Sequence, residues 1–216
     1  MRTPARLSAV LVAVLAVLLA AWPAMATARA RVTFIGDSVS AALTEVPGAA
    51  RYLGSGLDLR LDLRVCRRLV LPSCPYQGVT PSTGLEAIQA DGTSLGHTVV
   101  VDVGYNEDGY RYASDMDQVL RALRAEGVRT VVWVNLRETR SDYYRINAAI
   151  ESEAARWPRV RVADWNSASQ GEPWFGSDGL HLNAAGAYGL ARLLRPQIVM
   201  AVRAAKHRSS ELAPSR

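Results

Sequence analysis

From residue 31 to about 205 the chain alternates short apolar runs with segments of helical spacing. Residues 31–36, 98–103, 128–136 and 160–163 are β-branched and apolar, whereas 57–65 alternates strictly. In that segment Leu57, Leu59, Leu61, Leu63 and Val65 share one face, and Asp58, Arg60, Asp62 and Arg64 the other. Such alternation predicts a half-exposed strand near a sheet edge, while the continuous runs fit strands buried on both faces. Helices are predicted over 38–45, stopping near Pro47-Gly48, and over 81–90 with proline in the first turn. Others are expected over 114–125 closed by Gly127, over 142–156 capped by Ser141, and over 184–205. Five strands with intervening helices describe one doubly wound parallel sheet.

Polar residues gather where these strands end. The first strand runs into Gly36-Asp37-Ser38, the third into Gly104-Tyr105-Asn106-Glu107, and the fifth into a loop that leads to Asp178-Gly179-Leu180-His181. Parallel strands share one carboxyl edge, where open α/β sheets bind ligands, so the three loops converge.

A serine hydroxyl is a weak nucleophile until a base within about 3 Å takes its proton. Ser38 is the candidate nucleophile, and its placement at a helix start leaves its own N–H without an intrahelical partner. His181 is the candidate base. His97 precedes the third strand, at the opposite edge, and His207 lies in a basic tail. Asp178, three residues before His181, can accept from Nδ1–H and leave Nε2 facing Ser38. Its plain alternative is a turn-capping acid. Asn106 is a candidate oxyanion donor through its amide, or else an Asn that stabilises its own turn. Gly78, in the loop after the second strand, is assigned as a further donor through its N–H. Tyr105, Arg137, Tyr143, Trp174 and Phe175 fall on loops at this edge; Tyr105, Arg137 and Trp174 are the candidate substrate contacts, with loop packing as the alternative.

Composition changes the picture at the ends. Arg2 and Arg6 precede an apolar stretch over 7–22 with no acid, followed by small-x-small sites at Ala24-Met25-Ala26 and Ala28-Arg29-Ala30. Residues 1–30 therefore read as a secretory signal peptide, with a retained anchor as the alternative, and the protein as secreted or envelope-located. The chain carries 25 Lys and Arg against 20 Asp and Glu, but Arg2, Arg6 and Arg29 fall in the first thirty residues, leaving 22 bases. Much of the remaining excess sits in the basic tail 206–216, so the body 31–205 is about neutral and nucleic acid is not an expected partner. Cys66 and Cys74 close an eight-residue loop, read in an exported protein as a disulfide. A metal site would want nearby histidines or paired C-x-x-C spacing, and both are missing. No nucleotide-binding glycine motif occurs.

The blocks Gly36-Asp37-Ser38, Gly104-Tyr105-Asn106 and Asp178-Gly179-Leu180-His181, in this order, resemble those of the GDSL, or SGNH, hydrolases. The resemblance implies a three-layer α/β/α sandwich with a flavodoxin-like five-stranded parallel sheet, a Ser-His-Asp triad and a three-donor oxyanion hole. Carried over, Ser38 is nucleophile and first donor, Asn106 a donor, His181 the base and Asp178 its partner. There are two departures. Glu107 stands where the family has Asp, and Cys66-Arg67-Arg68 follows the second strand where the family has a glycine donor, so Arg67 or Arg68 is a further candidate for shaping the pocket. The expected activity is an exported serine esterase acting on short acyl groups, including O-acetyl carbohydrate, with no cofactor or metal. Such an enzyme would be a monomer acting on a small-molecule or glycan ester, with no membrane span in the mature chain. Lipase, thioesterase, acyltransferase and a non-catalytic envelope binding protein are the alternatives.

Overall fold

A computed structural model describes residues 28–212 of the protein. The signal-peptide reading lies almost wholly outside these residues. Five strands, β1 (Ala30–Gly36), β2 (Leu57–Leu63), β3 (Thr98–Asp102), β4 (Thr130–Val134) and β5 (Val160–Ala163), form one sheet in the order β2-β1-β3-β4-β5. Every pairing is parallel. β3 and β4 are buried at every position, whereas β2 is half-exposed and lies at the edge, as its alternation requires. Among the described residues the α-helices are α1 (Ala42–Glu45), α2 (Pro47–Gly54), α3 (Gly84–Asp91), α4 (Tyr112–Ala125), α5 (Ser141–Arg156), α6 (Trp165–Ala168) and α7 (Ala184–Leu212). Helices α1, α2 and α7 pack together on one side of the sheet, and α3, α4 and α5 on the other. This is the three-layer α/β/α sandwich expected from the sequence. Among the described residues no helix is long and apolar enough to cross a membrane.

Several boundaries differ from expectation for local reasons. The predicted 38–45 helix is a turn followed by the single-turn α1, and Pro47 opens α2 because its fixed φ suits a first helical turn. Helix α3 starts at Gly84, not Pro81. Thr83 caps it, accepting from the Glu86 N–H while the Glu86 carboxylate accepts from the Thr83 N–H. Ser141 is the first helical residue of α5, whose cap is the extended Arg140. Gly127 closes α4 with φ +82, its N–H donating to the Arg124 carbonyl and that of Val128 to Leu123. Helix α7 continues to Leu212, seven residues past the predicted end, so the first part of the proposed tail is helical.

The sheet order reverses between β1 and β3, the place where folds of this topology open a crevice. Residues 37–40 leave β1 and residues 103–107 leave β3 on the two sides of that switch point.

Candidate active site

The end of β1 is tightly packed. A Cβ on Gly36 would lie 2.1 Å from the Ser40 hydroxyl and 2.7 Å from Leu63, so any side chain there would have to displace both. The next residue, Asp37, is fully buried. Its carboxylate accepts from the Val39 N–H at 3.0 Å and from the Gly104 and Tyr105 N–H groups at 3.1 Å each, tying the β1 loop to the β3 loop. Burial pushes the Asp37 carboxyl up from 3.8 to about 6, opposed by those backbone N–H groups. Asp102, buried alongside, is held well above the usual carboxylate range by burial and then by the Asp37 charge. Three backbone donors make Asp37 the ionised member, and Asp102 keeps the proton.

That proton has a consequence for stability. The folded carboxyls bind protons that the unfolded chain releases near pH 4, so stability falls as pH rises through the range where Asp37 titrates. Between pH 5 and pH 8, urea unfolding is expected to show a loss of roughly 2 kcal/mol or more. Asp102→Asn, neutral at every pH, should remove at least half of that slope. An unchanged slope in the variant would mean that Asp102 is ionised in the folded protein.

Ser38, half-buried, sits in the turn before α1 rather than on a helix start, as the sequence had suggested. Its N–H has no acceptor among the described residues. The Ser38 hydroxyl lies 3.0 Å from His181 Nε2, and His181 Nδ1 lies 2.6 Å from Asp178 Oδ2. The other carboxylate oxygen, Oδ1, accepts from the Leu180 and His181 N–H groups at 2.9 and 3.0 Å. The His181 hydrogen bond, ahead of those two, lowers the Asp178 carboxyl to about 2 although it is exposed to solvent. Gly179, at φ +68, makes this tight turn possible. His97 hydrogen-bonds the Gly127 carbonyl at the amino edge, remote from this cluster. A groove of about 880 Å³ also lies at that edge, between Arg31, Leu57, His97 and Val202, and contains no nucleophile–base pair.

Asn106 stands at the end of the β3 loop and donates one amide hydrogen to the Arg67 carbonyl at 3.1 Å. Its neighbour Glu107 accepts from the Leu69 N–H at 2.7 Å and pairs with Arg68 at 2.9 Å, binding the β3 loop to the chain that follows β2. The longer acid at this position thus has a structural task. Arg67 is fully buried, held by the Asp62 carboxylate at 3.0 Å and by the Ser82 carbonyl at 3.0 Å. It cannot line a pocket.

Four further candidates have partners of their own in the structure. Gly78 lies at the exposed tip of a two-residue hairpin turn between Tyr76 and Val79, with Gln77 at φ +50 and Gly78 at φ +79. The glycine serves that turn and not an oxyanion. The Tyr105 ring is buried edge-on against Tyr143 at 5.2 Å, and its hydroxyl accepts from the Arg137 N–H. Trp174 stacks on Trp165 at 5.5 Å and lies against α7, where a Cβ on Gly189 would approach its ring to 2.7 Å. The Arg137 guanidinium sits 4.0 Å over the Phe175 ring and donates to the Gly179 carbonyl, so it braces the Asp178–His181 turn. Aromatic and cationic side chains at this edge hold the loops. The sequence assigns no separate role to Asp37 or Asp102, although an acid directly after an apolar strand is a readable anomaly.

The disulfide expected between Cys66 and Cys74 is present, with a Cα–Cα distance of 5.2 Å. Among the described residues no cluster of three or more His, Cys, Asp or Glu could hold a metal.

No protein-family model matches the chain. It is 34% identical over 161 residues to the O-acetyltransferase OatA of Staphylococcus aureus, covering 74% of this chain and 24% of that protein. It is 31% identical over 149 residues to the peptidoglycan O-acetyltransferase OatA of Listeria monocytogenes, covering 64% and 22%. The chain thus spans about a quarter of the length of the curated relatives it matches. Among solved structures, the C-terminal catalytic domain of Streptococcus pneumoniae OatA superposes with a TM-score of 0.61 at 20% identity, covering 81% of this chain and 95% of that one. A carbohydrate acetylesterase family member from Sinorhizobium meliloti gives 0.63 at 15% identity, covering 81% and 99%. A putative arylesterase from Agrobacterium tumefaciens gives 0.61 at 15%, covering 79% and 99%. The chain shares the α/β fold of these esterase and O-acetyltransferase domains, in keeping with the resemblance of its three motif blocks to those of the GDSL, or SGNH, hydrolases.

Proposed function

We propose that this chain is an extracytoplasmic enzyme that moves acetyl groups through an acyl-serine at Ser38, with water as the terminal acceptor. The observation that carries the reading is the pair of contacts Ser38–His181 and His181–Asp178, at 3.0 and 2.6 Å. Ser38 Oγ attacks the ester carbonyl while its proton passes to His181 Nε2. The oxyanion forms against the Ser38 N–H and the second amide hydrogen of Asn106. Such donors act on charge that develops only in the transition state. When the tetrahedral species collapses, the C–O bond to the alcohol breaks and His181 returns the proton to the leaving oxygen. Water then gives a proton to His181 and attacks the acetyl-serine; the acid departs and Ser38 regains its hydrogen. Asp178 holds the imidazole in one tautomer throughout. The disulfide and the acetyl-transferring relatives favour a location outside the cytoplasm.

A short acyl group and a bulky alcohol suit the site. The His181 and Asp178 side chains are 50% and 51% exposed, which leaves the triad open to an extended carbohydrate. The rate on p-nitrophenyl acetate should exceed that on the palmitate ester by at least about tenfold, and Ser38→Ala should abolish both turnover and fluorophosphonate labelling. A preference for palmitate would overturn the short-acyl reading. Labelling that survives Ser38→Ala would overturn the nucleophile.

One observation favours a second acceptor, the 34% identity to an O-acetyltransferase. Under that reading a sugar hydroxyl takes the place of water in the last step. Adding a chitooligosaccharide or muroglycan acceptor and weighing the products by mass spectrometry separates the two. Acetylated sugar at the expense of free acetate identifies transfer.

A further inference from the structure

We propose that the Cys66–Cys74 disulfide is a positioning device for the oxyanion hole, fixing the Cys66 backbone N–H as its remaining donor. The proposal rests on the acyl-serine reading above and concerns the place where this chain departs from the family pattern, the turn after β2.

That turn stands beside the nucleophile. Leu63 pairs with Gly36 in the parallel register, and the Arg64 N–H continues the ladder by donating to the Gly36 carbonyl at 3.0 Å. Residues 64–67 and 37–40 therefore leave the sheet side by side. One residue past Cys66, the Arg67 carbonyl receives the Asn106 amide hydrogen. Ser38 thus lies between Cys66 and Asn106 in the order of the strands that carry them, and the Asn106–Arg67 contact draws the two flanking loops together around the nucleophile, where a third donor belongs. No described residue accepts a hydrogen bond from its N–H.

Cys66 also has an unusual backbone. Its φ is +69, and among the described residues Gln77, on the hairpin tip, is the other non-glycine with a positive value. Left-handed conformations favour glycine because a Cβ crowds the following carbonyl. A cysteine held there needs an external constraint, and two are visible. The Cys66 side chain is bonded to Cys74, and the Cys66 carbonyl accepts from the Cys74 N–H at 3.4 Å. Arg67, pinned in the interior by Asp62 and Ser82, fixes the turn on its other side. The covalent bridge does for this turn what a glycine does elsewhere by having no side chain. Opening the bridge lets Cys66 relax to a negative φ, which reorients its peptide group and withdraws the N–H.

An oxyanion donor contributes in the transition state and little to substrate binding, so its displacement lowers kcat and spares KM. A bridge that only stabilised the fold would show instead in the melting temperature. The test is steady-state hydrolysis of p-nitrophenyl acetate by oxidised protein and by protein reduced with a phosphine, alkylated and freed of reductant, each checked for native circular dichroism. Reduction is expected to lower kcat by at least about tenfold with KM within about threefold. The double variant Cys66→Ala/Cys74→Ala should fall equally far. Cys66→Gly/Cys74→Ala, which also lacks the bridge but tolerates positive φ, should recover most of that loss. Full kcat in the reduced protein, or a glycine variant no better than the alanine one, would overturn the proposal and leave the acyl-serine reading intact. Oxidised wild-type protein that neither hydrolyses the ester nor takes a fluorophosphonate at Ser38 would overturn both.

Discussion

Replacing Asp178 with asparagine is expected to lower kcat on acetyl esters by about 10²–10⁴-fold with the fold and melting temperature unchanged. The reason is the way the two carboxylate oxygens are used. Oδ1 accepts two backbone N–H groups, from Leu180 and His181, and Oδ2 accepts from His181 Nδ1. Asparagine has one oxygen, and it must take the Oδ1 position, because an NH₂ there would face two donors. The NH₂ is then left facing Nδ1, which becomes an acceptor. The imidazole proton moves to Nε2, the nitrogen that must receive the Ser38 proton. The turn survives and the base is lost. Asp178→Ala, by contrast, removes the turn's acceptor as well and should lower stability along with activity. Measuring kcat, KM and melting temperature for both variants checks the argument, and an asparagine variant within about threefold of wild type would mean that Asp178 does not set the tautomer. Since the Asp178 carboxyl is held near 2, it stays ionised through the acid limb of a pH–rate profile, which must report another group.

The outcome of the sequence reading differs by the kind of information each residue carries. The strands were legible because burial on both faces demands unbroken β-branched runs, and the edge strand because its leucines alternate. Ser38, Asp178 and His181 stand together because each follows a short local motif at the carboxyl edge, and a parallel sheet brings that edge together whatever the chain between. Residue type alone points to Gly78, whereas the physical requirement is a conformation. Gly78 supplies positive φ to a hairpin tip, whereas the conformation beside the site belongs to Cys66. Tyr105, Arg137 and Trp174 sit where substrate contacts were expected, but loop position does not reveal where a side chain points, and each of these is occupied by a neighbour. Pro47 after a helical segment signals a stop, yet the same residue is favourable one position inside a helix start, and here it opens α2. Nothing in residue spacing distinguishes those two uses of proline.

Asp37→Ala carries the largest expected effect on stability, a loss of about 4 kcal/mol in urea unfolding at neutral pH. The carboxylate is the common acceptor for three buried N–H groups on two loops, and alanine leaves all of them without a partner in a site closed to water. An unsatisfied buried donor costs about 1–3 kcal/mol, so three would cost about 3–9 kcal/mol if the loops stayed rigid. They are expected to shift and recover part of it. Asp37→Asn should cost about half as much, since its oxygen can keep the Gly104 and Tyr105 donors and sacrifices the one from Val39. The same exchange removes the charge that helps to keep Asp102 protonated, so the fall in stability with rising pH should flatten in the asparagine variant. Catalysis should follow, because the Gly104 and Tyr105 main chain that Asp37 anchors is the stem that presents Asn106. Folded Asp37→Asn protein should therefore lose kcat before KM. A loss below about 1 kcal/mol for the alanine variant would show that the two loops are held together by other means. In that case the Glu107 contacts with Arg68 and Leu69 would be the bond between the β3 loop and the rest of the site.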